Sequence, residues 1–217
     1  MNAGEALEAA RSFAFATLTE RLGDGGLVVI APHPDDESLA CGGLIAEAHA
    51  KGRPVRVVIV SDGTGSHPAS KTYPRARLRE LREHEAVEAV GELGLEPGQQ
   101  VVFLRLPDRF VPSDGARAEK AIARIVKCVE EVGARALFVT WRHDPHCDHQ
   151  ACYRIARRPA PATFPEAVRI YGLGIDAARS DARGTGQRWV PDLDRAATDP
   201  EEARDSRPPL TDNRSDQ

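Results

Sequence analysis

At 217 residues, with 41% hydrophobic and 29% charged side chains, the chain is long enough for one α/β domain with a full core and barely long enough for two. A net charge of -4 and a pI near 6.0 give neither nucleic acid nor an acidic membrane a reason to bind. No apolar run approaches a bilayer-spanning length, and residues 1–20, carrying Glu5 and Glu8, lack the basic-then-apolar order of a secretory signal, so a cytoplasmic setting is expected.

Leu7, Ala14, Leu18 and Leu22 recur at helical spacing and predict an amphipathic helix over 3–22, stopped by the Gly-rich turn 23–26. The apolar run 27–31 predicts strand one. A helix over 38–51 follows, whose Gly42-Gly43 pair is expected to let its backbone lie close to the sheet or to a site. VRVVIVS (55–61) is a β-branched run suited to a central strand. Residues 62–74 form a loop of Gly, Ser, Thr, Pro and His, longer than an ordinary βα connection and therefore expected to be functional. A helix over 75–93, a strand over 101–105, a helix over 116–132, a strand over 136–140 and a helix over 148–157 complete the pattern. Residues 168–171 are a candidate for one more strand.

Four β-α units in succession predict an α/β fold: a Rossmann-like parallel sheet sandwiched between helices. With strand order 3-2-1-4, strands one and four become neighbours where the winding reverses, and the loops at their carboxyl ends flank one crevice. Those two loops carry the two polar clusters of the chain.

The first cluster is His33-Pro34-Asp35-Asp36-Glu37. His33 and Asp36 are three apart across a turn stiffened by Pro34, so both can point at one centre, and imidazole plus carboxylate suits zinc. Asp35 would stand close to the metal without binding it. Helix capping accounts for one acid here, not for a histidine and three acids together. The second cluster, Trp141 to His149, places His146 and His149 on roughly one side of a turn, and either can complete a His33–Asp36–His site with a position left for water. His49, His67, His84 and His143 are read as ordinary surface or core residues. Among the four cysteines, Cys41 and Cys128 read as small buried hydrophobes, and Cys147 is expected to point away from the cluster if its neighbours point in.

APHPDDE (31–37), Gly42-Gly43, SDGTGSHP (61–68), Arg82 with Glu85, LPD (106–108) and WRHDPHCDH (141–149) together resemble the PIG-L / LmbE-like family of zinc-dependent N-deacetylases, over about residues 27 to 157. The resemblance implies an LmbE-like fold, with His33, Asp36 and His149 as zinc ligands (ferrous iron is the alternative metal) and Asp35 as general base. His146 would stabilise the oxyanion or protonate the departing amine. It also implies a small N-acetylated sugar or glycoconjugate as substrate. Asp148 is expected to orient an imidazole; Asp62 and Arg82 are expected near the substrate or in the shell supporting the site, Arg82 being as well explained by a helix-face salt bridge. Nothing in the sequence specifies an oligomeric state.

After about Arg158 the resemblance stops. The expected division is a deacetylase domain over 1–174 and an irregular tail over 175–217, in which charges, Pro and Gly are mixed with almost no apolar periodicity. Divergence or an altered reading frame accounts equally for that change. If the tail fails to wall the pocket, the second expected function is a metal-containing sugar-binding module with impaired catalysis. A nucleotide-binding Rossmann domain is excluded by the lack of GxGxxG after strand one, and by acids where phosphate would sit.

Overall fold

The computed structural model describes residues 17–158 and 169–173. Helix α1 (Leu18–Leu22) is followed by β1 (Gly26–Ala31), α2 (Asp36–Ala50), β2 (Val55–Ser61), α3 (Arg75–Glu92) and a short α4 (Pro97–Gln100). Then come β3 (Val101–Leu106), α5 (Gly115–Val132), β4 (Ala134–Thr140), α6 (Cys147–Arg157) and β5 (Arg169–Leu173). The strands form one parallel sheet in the order β3-β2-β1-β4-β5. The expected 3-2-1-4 order is therefore present, extended by the strand suspected near 168–171. The amino-terminal part of the helix expected over 3–22, and the tail from 175 with Trp189, lie outside the described residues.

Alternation along the strands sends side chains into two cores. Leu27, Val29 and Ala31 of β1, with Val57, Ile59, Ala136 and Phe138, pack against α1, α2 and α3. Val28 and Ile30, with Val58, Val60, Leu137 and Val139, pack against α5 and α6. Helix α5 meets that second core with Ile122, Ile125 and Val129, an i, i+3, i+7 stripe, which is why this stretch is helical rather than extended. All six residues of β1 are buried, as its central position requires. Gly26 opens β1 because a Cβ there would stand 2.7 Å from the Pro54 carbonyl oxygen, closer than any side chain tolerates.

Two local expectations are corrected. Gly42 is not needed for a close approach: a Cβ there would make only ordinary contact with Leu93 methyls at 3.7 Å, and Gly43 faces solvent. The short α4 was not anticipated, since four residues led by Pro97 carry no periodicity. No helix among the described residues is long and apolar enough to cross a membrane.

Candidate active site

β1 and β4 are hydrogen-bonded neighbours, so the connections leaving Ala31 and Thr140 rise side by side from the carboxyl edge of the sheet. This is the point where strand order reverses and α/β proteins bind ligands.

In the first connection the turn is held by its own acids. Asp36 Oδ2 accepts from the His33 backbone N–H at 3.0 Å and lies 3.2 Å from His33 Nδ1. Glu37, completely buried, accepts from the Asp35 backbone N–H at 3.0 Å and from the Ser38 hydroxyl at 2.9 Å. Asp35 occupies the N-cap position of α2, but its side chain makes no capping bond, and its φ of 141° is one that a residue with a Cβ rarely adopts. Its carboxylate instead pairs with Arg82 at 3.0 Å, and the same guanidinium nitrogen donates to the Pro34 carbonyl. The Asp35 side chain remains 55% exposed.

In the second connection, Asp144 Oδ1 accepts from the His146 backbone N–H at 2.9 Å, an Asx turn across Pro145. Its other oxygen lies 3.0 Å from His149 Nδ1. His146 caps α6, accepting through Nδ1 from the Asp148 N–H at 3.2 Å. The neutral ring must then carry its proton on Nε2, as a hydrogen-bond donor. Thr140, the last residue of β4, donates its hydroxyl to the His149 carbonyl at 3.1 Å.

The two connections meet. His149 Nε2 is 3.3 Å from His33 Nδ1 and 3.4 Å from Asp36 Oδ2. The three imidazoles of His33, His146 and His149 surround one point, with ring centroids 4.7 to 5.2 Å apart. Beneath them Asp148 Oδ2 and Asp108 Oδ1 stand 3.2 and 3.4 Å from His33 Nε2. Asp148 is itself clamped by the backbone N–H groups of Arg109 (2.6 Å) and Val111 (3.0 Å). Asp108 accepts from the Gly65 N–H at 2.6 Å, and a Cβ on Gly65 would come within 2.8 Å of that carboxyl, so the long β2–α3 loop can seat here only with glycine.

This crowding of carboxylates makes the site seek a cation. Burial lowers the His33 pKa, but Asp108, Asp148 and Asp36 outweigh it and push it up to about 11. His149 is likewise raised, burial being overcome by Asp36 and Asp144. Burial would raise Asp36, yet its bonds to His149 and His33 hold it well below the ordinary carboxylate range. Asp35 shifts the other way, raised by desolvation and the Asp36 charge against the pull of Arg82. His146 is lowered by burial and by the neighbouring imidazoles, which favours its neutral form.

The donor set fits a divalent metal. His33 Nδ1, Asp36 Oδ2 and His149 Nε2 form a triangle with edges of 3.2, 3.3 and 3.4 Å. Ligand atoms about 2.0–2.1 Å from a tetrahedral zinc stand roughly 3.3–3.4 Å apart, and three protein ligands leave one position open. A three-imidazole group including His146, within 4.8 Å, is a looser alternative, as is His33 with Asp108 and Asp148. Cys147 is exposed, with Sγ 3.5 Å from the Arg109 carbonyl. It also lies within 4.8 Å of ligand atoms on His146 and Asp148, so it borders the cluster instead of standing clear of it.

Of the residues singled out by sequence, His33, Asp35, Asp36, His146, Asp148 and His149 come together here. Arg82 reaches the site through Asp35. Asp62 does so only indirectly, taking the Thr64 N–H and hydroxyl and the Asp108 N–H on one oxygen, so it organises the loops. His49, His67, His84 and His143 stand outside the cluster. Asp144 and Asp108 were missed as site residues. Both lie inside stretches that carry the family resemblance, Asp144 in 141–149 and Asp108 in LPD (106–108), but nothing local marked Asp108 as a neighbour of His33, which it reaches only through strand order. Replacing Asp148 by alanine strips an acceptor from His33 and from two backbone amides. The expected result is a 10- to 100-fold loss of metal affinity and of kcat/KM; metal affinity equal to the parent's would refute this role.

A parallel sheet with a cation-seeking imidazole–carboxylate cluster at its switch point defines an α/β protein with a candidate metal centre, and fold alone does not select a reaction. Residues 28–160, more than half of the chain, match the family described as "PIG-L: GlcNAc-PI de-N-acetylase", and the chain belongs to that family. Among curated relatives it is 29% identical over 197 residues to the 2'-N-acetylparomamine deacetylase of Streptomyces fradiae (77% of this chain, 67% of the relative). It is 28% identical over 154 residues to the probable N-acetyl-alpha-D-glucosaminyl L-malate deacetylase 2 of Bacillus subtilis (65% and 67%). The fold is shared with the N,N'-diacetylchitobiose deacetylase of Pyrococcus horikoshii, with a TM-score of 0.55 at 20% identity, covering 72% of this chain and 57% of that one.

Proposed function

We propose that this chain removes the acetyl group from an N-acetylated amino sugar, using water activated at a zinc ion held by His33, Asp36 and His149, ferrous iron being the alternative. The observation that carries the reading is the 3.2–3.4 Å triangle of donor atoms, with the exposed carboxylate of Asp35 on the residue next to Asp36. Zinc bound there would lower the pKa of a water to about 7 and polarise the acetyl carbonyl. Asp35, its pKa raised from the ordinary value by desolvation and the Asp36 charge, accepts the proton of the attacking water. Arg82 fixes the Asp35 carboxylate and limits how far its pKa climbs. His146 donates from Nε2 to the carbonyl oxygen as charge develops on it. The leaving amine takes a proton from His146 or from Asp35, which by then carries one. Asp108, Asp144 and Asp148 hold the two ligand imidazoles in orientation from behind.

The substrate class follows the relatives, whose names specify N-acetylated amino sugars bearing a further group. The reading takes residues 1–174 as the catalytic domain. It also takes the setting as cytoplasmic, in keeping with four free cysteines of which three are buried. The metal-binding module without catalysis is not favoured, since the relatives matched are deacetylases. Purified protein should contain one zinc or iron per chain and release acetate from at least one member of a panel of N-acetylated sugars. Metal content with sugar binding but no acetate over a long incubation would overturn it in favour of the module.

A further inference from the structure

Three large apolar side chains are strongly exposed among the described residues: Leu39, Tyr73 and Phe110. All three lie in or next to connections at the carboxyl edge of the sheet, and Phe110, 79% exposed, is the most prominent. Its backbone is far from free. Phe110 closes a turn by donating its N–H to the Pro107 carbonyl at 3.1 Å, and Arg109 inside that turn has φ 69°, a value that ordinarily calls for glycine. The residues on either side are both pinned to Asp148, Arg109 N at 2.6 Å and Val111 N at 3.0 Å. Val111 is buried in the core beyond. The Asp148 oxygen that takes the Arg109 N–H also stands 3.2 Å from His33. An aromatic ring is thus held out in water by a strained turn, and the carboxylate anchoring that turn also steadies the His33 imidazole. A solvated loop tip needs neither the ring nor the strain; a platform fixed relative to the reacting centre needs both.

We propose that Phe110 is the specificity platform of this site, stacking the C–H face of a second ring attached to the N-acetylated sugar. The inference rests on the deacetylase reading for the identity of the first ring. A pyranose or cyclitol presents an apolar face of axial C–H groups, and an exposed, rigid phenyl ring is the complementary surface. The platform discriminates substrates by length: a single N-acetylated ring fills the reacting centre without reaching it.

The test compares N-acetylglucosamine with N,N'-diacetylchitobiose on the parent, Phe110→Ala and Phe110→Tyr proteins, all metal-loaded, measuring acetate release, equilibrium binding and Tm. In Phe110→Ala, KM for the two-ring sugar should rise about tenfold with kcat unchanged. KM for the single ring and Tm should not move, and Phe110→Tyr should restore two-ring binding. Equal losses on both sugars, or a lower Tm with both lost, would overturn the platform and make Phe110 a contact of the fold. If the parent releases no acetate, the deacetylase reading fails, and the binding ratio of the two sugars still decides the platform. Selective loss of two-ring binding then supports it, and an unchanged ratio sinks it.

Discussion

Replacing Asp35 by asparagine should leave the metal content unchanged and lower the rate of acetate release by about 10²- to 10⁴-fold. Asparagine has nearly the same shape as aspartate, so it meets the same backbone cost at φ 141° and adds none of its own. Its amide oxygen can still accept from Arg82, and Asp35 is not one of the three atoms of the ligand triangle. What disappears is the exposed carboxylate on the residue next to Asp36, and with it the proposed acceptor for the water's proton. Metal analysis and single-turnover rates measured on the same preparation separate the two effects. A variant that keeps its metal and turns over at the parent's rate would remove Asp35 from the chemistry.

Loading zinc onto metal-free protein at pH 7 should release about one proton per ion from His33, and His149, also raised, adds to that release. The carboxylates around His33 hold its pKa near 11 in the metal-free protein, so at pH 7 it is charged, whereas a ligand imidazole must be neutral. Titration calorimetry in buffers of different ionisation enthalpy measures the proton count; no proton release would mean that His33 is not displaced from its protonated state. The same shift fixes how metal-free stability depends on pH. The folded His33 pKa lies above its unfolded value, so its stabilising contribution is complete below about 6.5 and is lost as pH rises towards 11. Asp36, held low in the folded state, contributes above its unfolded value of about 3.9 and loses that contribution as pH falls. Metal-free protein should therefore lose Tm on the alkaline side while zinc-loaded protein, with His33 already neutral, resists. Chelation should abolish acetate release, and zinc or ferrous iron should restore it.

Much of this site was readable in one dimension because its first half is local. His33 and Asp36 are three residues apart, and the bond from Asp36 to the His33 N–H closes within one turn. The apolar runs of β1, β2 and β4 and the stripe of α5 record burial directly, since strands covered on both faces read as near-continuous apolar runs, broken here by Arg56 and Arg135 towards the strand starts. The partners across the sheet were less accessible. Arg82 was as well explained by a surface salt bridge as by a site role, and only folding set it against Asp35, 47 residues away. Asp108 ends the LPD stretch that carries the resemblance, yet no local sign set it beside His33. Phe110, two residues past LPD and with no signal of its own, is held exposed by a turn that Asp148 pins from 37 and 39 residues along the chain.

By itself, then, the order of residues determined the kind of fold, the two reactive turns and their chemical type, because helix, strand and turn preferences act over a few residues. The tertiary structure decided which atoms of those turns meet. His149 stands 3.3 Å from His33 across a separation of 116 residues because β4 pairs with β1. It decided too which carboxylates sit behind them and drive the His33 pKa up. Such contacts depend on strand order and loop docking, and the fields of several charges summed at one buried point have no counterpart in any short stretch of sequence.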